Sequence, residues 1–182
     1  MEDKELLQGK IKNIFIKLLV GIMSNDLKDI KHYLSEEVYN KYQKEIDNNI
    51  SNNEIHCYDE LNVKDLTIDK VEKDDKYEII YVTLISRYMD YYIDSDSLEY
   101  KRGVADHRIE ESHTLVFKKL LEVGDRPAVI KCPGCGANLD VNNTGVCNYC
   151  GTIHSAESYD YVLYEVTNLW IEEKKHYWLY LL

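Results

Sequence analysis

Proline and glycine are scarce in this chain, 2 and 8 of 182 residues, and neither collects into a flexible run. Set beside 45% hydrophobic and 30% charged residues, that scarcity excludes a linker or a disordered tail and predicts an ordered globular protein. Long apolar runs are missing as well: no window offers the roughly 20 uninterrupted apolar residues that span a bilayer. The start Met1-Glu2-Asp3-Lys4-Glu5 is acidic where a secretory leader is basic, and Lys10, Lys12 and Lys17 interrupt the apolar residues behind it. These absences predict a chain of the cytoplasm or of the cytoplasmic face of a membrane.

Positive charge is short in the middle of the chain, where residues 51–100 carry 13 acidic against 5 basic side chains within a net charge of -11. Such a surface repels phosphate backbones and anionic headgroups, so no nucleic-acid partner is expected. An even cysteine count is lacking too. Five cysteines, four of them in two C-x-x-C pairs, fit metal binding in a reducing compartment better than a disulfide framework. The fifth, Cys57, reads as a small buried hydrophobe.

Apolar residues Leu6, Leu7, Ile11, Ile14, Phe15, Leu18, Leu19 and Ile22 recur at steps of three and four, which predicts a core-facing helix over 5–22. Leu27, Ile30 and Tyr33 predict a shorter helix over 26–33. Ser35 is placed to cap a third, with Glu36 and Glu37 in its first turn and Val38, Tyr42 and Ile46 on one face, ending near Asp47-Asn48-Asn49. Beyond Asn53 the pattern turns extended. Strands are predicted over 59–71, bent near Asp65, over 77–92, over 109–121 and over 159–167, with a hairpin turn at Glu72-Lys73-Asp74-Asp75.

The second strand carries Ile80, Val82, Leu84, Tyr88 and Tyr92 on one face and Tyr77, Ile79, Tyr81, Ile85, Met89 and Tyr91 on the other. Both are apolar or aromatic, so both are expected to be covered, one by helices and the other by a partner or a chain end. Asp94 to Asp106 reads as a solvated connection, because its Asp94-x-Asp96 start lacks the glycine and terminal glutamate of a calcium loop. In the last strand Tyr161, Leu163 and Glu165 are predicted to face away from Val162, Tyr164 and Val166.

The strongest local signal is Cys132-Pro133-Gly134-Cys135-Gly136, then eleven residues between the cysteine pairs, then Cys147-Asn148-Tyr149-Cys150-Gly151. Each C-x-x-C turn brings two sulfurs to one ion, and the glycine behind it lets backbone N–H groups approach the thiolates. Four thiolates favour one tetrahedral, structural zinc per chain at Cys132, Cys135, Cys147 and Cys150, with no position left for a substrate water. His154 then stays outside the shell. Tetrahedral iron and a redox dithiol are the competing chemistries.

Leu34-Ser35-Glu36-Glu37-Val38-Tyr39-Asn40-Lys41-Tyr42, Leu61-Asn62-Val63, Asp90-Tyr91-Tyr92 and Tyr159-Asp160-Tyr161-Val162-Leu163 give the chain a family likeness over roughly residues 10–170. It resembles bacterial relatives of the matrix-side domain of the translocase-of-the-inner-membrane 44 protein, with a zinc ribbon added. The resemblance implies an α+β fold of the nuclear-transport-factor-2-like type: helices on a strongly curved antiparallel sheet, a half barrel enclosing a cavity. Where that family tends to carry Glu-x-Trp-Thr, this chain has Glu111-Ser112-His113-Thr114. The resemblance alone implies membrane contact, and the basic membrane-binding helices of the mitochondrial proteins have no counterpart before Glu5.

The expected organisation is a discontinuous helix-and-sheet domain, 1–129 with 155–182, interrupted by a zinc ribbon over 130–154. The expected function is a non-catalytic binding or protein-interaction module, transport- or membrane-associated by resemblance, engaging a protein, a peptide or a hydrophobic ligand. A homodimeric scaffold is the alternative, and a cavity enzyme built on Asp90, His107, Glu111 and His113 is the third reading, since their spacing matches no hydrolase signature. Tyr81, Tyr88, Tyr91, His113, Tyr161, Trp170 and Trp178 are the candidate cavity or interface residues. A homodimer through the aromatic sheet face or the C-terminal aromatics is expected.

Overall fold

The apolar stripe of the first helix decides the architecture, because it must be buried against a second apolar layer. In the computed structural model, which describes residues 4–121, 130–132, 134–139, 146–153, 156–158 and 160–169, that layer is a four-stranded antiparallel sheet. Helix α1 spans Lys4–Met23 and helix α2 spans Glu36–Ser51; strands β1 (Glu54–Lys73), β2 (Tyr77–Asp94) and β3 (Tyr100–Leu120) come next. After the short strands β4 (Ile130–Lys131) and β5 (Asn138–Leu139), the chain returns as β6 (Val162–Leu169). The large sheet has the order β1-β2-β3-β6, so the fold is α+β, and β4 pairs with β5 separately.

Leu7, Ile11, Ile14, Phe15, Leu18 and Ile22 of α1 and Val38, Tyr42 and Ile46 of α2 are buried against Ile80, Val82, Leu84, Leu115, Phe117 and Leu163 of the sheet. Burial of each such side chain contributes roughly 1.5–3 kcal/mol. The sheet curves around the helices through irregular pairing: β1 shifts register between Asp59 and Asn62, Val63 and Asp65, and Ile68 and Lys70, with Glu60 at φ 52°. No described helix is long and apolar enough to cross a membrane.

Ser35 caps α2 as expected, its Oγ accepting from the Val38 N–H at 3.2 Å. Ser35→Ala is expected to cost about 1 kcal/mol, read as a lowered urea midpoint at unchanged slope. An unchanged midpoint would show that the cap contributes nothing to stability.

Several boundaries differ from expectation. The segment 26–33 forms only turns and a 3-10 helix at Lys31–Tyr33, since Leu34 is already extended and bridges Leu163. Helix α2 runs four residues past Asp47: Gln43 Nε2 donates to the Asp47 carboxylate at 2.9 Å, and Ser51 Oγ to the Asp47 carbonyl at 2.7 Å. Chain reversal comes later, where Asn53 takes φ 51°. Strand β1 begins at Glu54 rather than 59, because Glu54 to Asp59 pair with Asp94 to Met89.

The β1–β2 turn sits at 74–76, held by Asp74 Oδ1 accepting from the Lys76 and Tyr77 N–H groups at 2.7 and 2.6 Å. Strand β3 starts at Tyr100, so most of the expected connection is strand. Only Gly103 fits there: at φ +107°, a Cβ would lie 2.4 Å from the Asp90 carbonyl oxygen.

In β6 the expected alternation breaks. Val116 pairs with Glu165 and Phe117 with Leu163, leaving Tyr164 as an extra residue, so Leu163 and Val166 both join the main core. The outer sheet face is covered at one end: Ala156, Val162 and Val116 are buried there, and Tyr164 Oη donates to Glu157 at 2.6 Å. Elsewhere on that face Ile79, Tyr81, Ile85, Met89 and Tyr91 are half-buried.

Candidate metal centre

Two turns of matching geometry build the cysteine cluster. In the first, the Cys132 N–H donates to Ala137 O at 2.8 Å and the Gly136 N–H to Cys132 O at 2.8 Å. In the second, the Cys147 N–H donates to Thr152 O at 2.9 Å and the Gly151 N–H to Cys147 O at 2.8 Å. Gly136 and Gly151 share φ 72°, left-handed backbone that closes each turn. These glycine amides serve the cysteine carbonyls, and the turn each glycine closes brings the amide behind it, Ala137 or Thr152, to a thiol, as the glycine positions predict. The thiols receive amides from two residues ahead: Gly134 for Cys132 at 3.3 Å, Ala137 for Cys135, Tyr149 for Cys147 and Thr152 for Cys150.

All four ligand atoms lie within 4.8 Å of one another, with Cys132 Sγ 3.6 Å from Cys150 Sγ and Cys135 Sγ 3.7 Å from Cys147 Sγ. A tetrahedral shell with metal–sulfur bonds of about 2.3 Å spaces its sulfurs about 3.8 Å apart. A disulfide needs about 2.05 Å. The spacing is that of a cage. Cys132 and Cys147 are buried against Ala137, while Cys135 and Cys150 are exposed.

The Thr152 hydroxyl, 3.1 Å from Cys150 Sγ, and the Thr152 amide draw the Cys150 thiol down to about 6. The Ala137 amide pulls Cys135 down as well, yet Cys150, burial and the other two sulfurs push it up to about 12. Four thiolates at this spacing repel one another, and a divalent cation between them removes the conflict. The donor set fits a tetrahedral ion; His154 lies outside the described residues.

The cluster adjoins the helical layer through the residues behind its second turn. Ile153, bridged to Val146, forms one wall of a cavity of about 310 Å³ whose other walls include His32, Leu34, Tyr39 and Asn40. Lys10 on α1 pairs with Asp160 at 3.3 Å, and Tyr161 donates to Glu78 on β2.

The other candidate residues are dispersed. Tyr88 and His113 lie in the buried face, Tyr161 is in the main core, Tyr81 and Tyr91 lie on the outer face, and Trp170 and Trp178 fall outside the described residues. Of the four candidate catalytic groups, Asp90 bonds His56, Glu111 accepts from Tyr88, and His107 is exposed beside Asp106. His113 Nε2 lies 2.7 Å from Ser86 Oγ, and its Nδ1 lies 3.0 Å from Asn168 Oδ1.

That Ser86–His113–Asn168 chain has the order of a nucleophilic triad, but Ser86 is 0% and His113 2% exposed, and the Phe15 ring lies 4.8 Å from the imidazole. An acyl carbonyl has no approach to Ser86 while α1 is in place. Burial holds His113 below its usual value, so protonation opposes folding as pH falls below 6.5. Sequence reasoning missed the cluster around His56, whose partners Glu45 and Asp90 are remote in the chain.

A 53-residue stretch is 36% identical to replication factor A of Methanothermobacter thermautotrophicus; it covers 29% of this chain and spans only 7% of that protein's length. The Tim44-like domain model matches residues 3–127, well over half of the 182-residue chain, and its match ends before Cys132. With two helices packed on an antiparallel sheet across that span, the chain belongs to the Tim44-like domain family.

Proposed function

We propose that the protein is a non-catalytic protein-interaction module of the nuclear-transport-factor-2-like type, in which an inserted zinc ribbon over 130–154 supports a binding cleft. The observation that carries this reading is the position of Ile153: three residues past the last cage cysteine, it walls the cavity that His32, Leu34 and Tyr39 line on the helical side. A metal that fixes the second turn fixes that wall. The interior polar groups Ser86, Tyr88, Glu111 and His113 bond one another or neighbouring strands, which is the behaviour of a satisfied core. The family supports interaction as the role, and transport association rests on the same resemblance.

The test is capture of partners from native lysate with the metal-loaded chain, its Tyr39→Ala variant and its Tyr91→Ala variant. A partner retained by the parent and by Tyr91→Ala but lost with Tyr39→Ala supports the cleft. Loss with Tyr91→Ala alone moves the interface to the outer sheet face.

The half-buried outer residues Ile79, Tyr81, Ile85, Met89 and Tyr91 favour a second reading, a homodimer through that face. Light scattering over a concentration series is expected to give twice the chain mass, with dissociation by Tyr81→Asp. A constant monomer mass rejects the dimer.

A further inference from the structure

His56 sits between two carboxylates on two different layers of the fold. Its Nδ1 lies 3.1 Å from Glu45 Oε1 on α2 and its Nε2 lies 2.8 Å from Asp90 Oδ1 on β2, while its side chain is only 8% exposed. A neutral imidazole has one N–H, and carboxylates only accept, so both bonds are made together only by the imidazolium. The surroundings suit the cation: the Tyr92 ring is stacked on the imidazole at 4.1 Å, and the Tyr58 ring lies tilted against it, also at 4.1 Å. Arg102 caps the column 3.5 Å above Tyr92 and is itself neutralised by Glu54 at 2.8 Å.

One further contact decides what happens when the proton leaves. Tyr58 Oη lies 3.1 Å from the same Nδ1 that faces Glu45. In the neutral ring Nε2–H keeps Asp90, Nδ1 becomes an acceptor, and the Tyr58 O–H is in place to fill it. Glu45 is then left against a lone pair and loses the imidazole as its donor.

We propose that His56 is a proton-operated latch between α2 and the sheet: the imidazolium ties Glu45 to Asp90, and deprotonation passes Nδ1 to Tyr58 and releases the C-terminal half of α2. The element released is the one whose Tyr42 and Ile46 cover the sheet. Burial alone pushes His56 down, but the hydrogen bonds and charges of Asp90 and Glu45 outweigh it and hold the imidazole above its usual value of 6.5. A raised folded value means that the latch is fully closed below 6.5 and opens as pH rises through that higher value.

The experiment tracks the ¹⁵N shifts of His56 and amide hydrogen exchange in the intact, metal-loaded chain from about pH 5 to about pH 9. The expected result is an imidazolium that converts to the Nε2–H tautomer, with protection of the 45–51 amides falling roughly tenfold relative to α1, after correction for intrinsic exchange, at the same midpoint. Glu45→Gln is expected to lower that midpoint and flatten the exchange step, and Tyr58→Phe to raise the midpoint by stripping the neutral ring of its donor. An Nδ1–H neutral tautomer, a His56 that does not titrate in this range, or titration without a change in α2 protection overturns the proposal.

Discussion

Removal of the metal is expected to unfold residues 130–153 selectively and leave the four-stranded sheet standing. The module has little apolar content of its own: its buried side chains among the described residues are Cys132 and Cys147, with Ala137 packed against them. A tetrahedral zinc supplies about 10–16 kcal/mol to structures of this kind, far more than such a cluster provides. The main core, from Leu7 to Val166, shares none of these residues. Hydrogen exchange with and without a strong chelator is expected to show the Cys147 and Gly151 amides losing protection while β2 and β3 keep theirs. Cys147→Ser is expected to behave as the chelated protein does. Global unfolding on chelation would make the module part of the main cooperative unit, and an unchanged exchange pattern would mean that no metal holds the turns.

Phe15→Ala is expected to be the most damaging single change in the main core, at about 3–5 kcal/mol. The ring is 1% exposed and lies against His113, so truncation leaves a cavity beside a polar chain as well as deleting contacts. The urea midpoint is expected to fall by roughly 2 M for a slope of about 2 kcal/mol/M. Water entering the gap relieves the burial that holds His113 low, so its titration is expected to move up toward 6.5. A stability loss without that movement would mean that Phe15 packs on His113 without drying it.

Helix α1 and the capped start of α2 are legible in the sequence because a stripe at steps of three and four, or a serine directly before two glutamates, is local information. The four cysteines are legible for the same reason: ligand spacing within each turn is fixed by the turn.

The segment Glu54-Ile55-His56-Cys57-Tyr58 shows the opposite case. Cys57, expected as a small buried hydrophobe, is only half-buried, whereas its neighbours Glu54, His56 and Tyr58 are the buried ones, because Cys57 points to the other face of the strand. They are tolerated because Arg102, Glu45 and Asp90 arrive from β3, α2 and β2, and no local window contains that pairing. The bulge at Tyr164 is hidden likewise: one extra residue reassigns every side chain after it, and only the partner strand reveals the extra residue.

Everything proposed for the ribbon and the cleft depends on an occupied cage, and its most direct test is elemental analysis joined to X-ray absorption on protein purified without added metal. The predicted result is one zinc per chain surrounded by four sulfurs at roughly 2.3 Å, the ordinary zinc–thiolate distance. Metal-free protein with all four thiols reactive, a disulfide among Cys132, Cys135, Cys147 and Cys150, or a shell containing nitrogen or oxygen would contradict it.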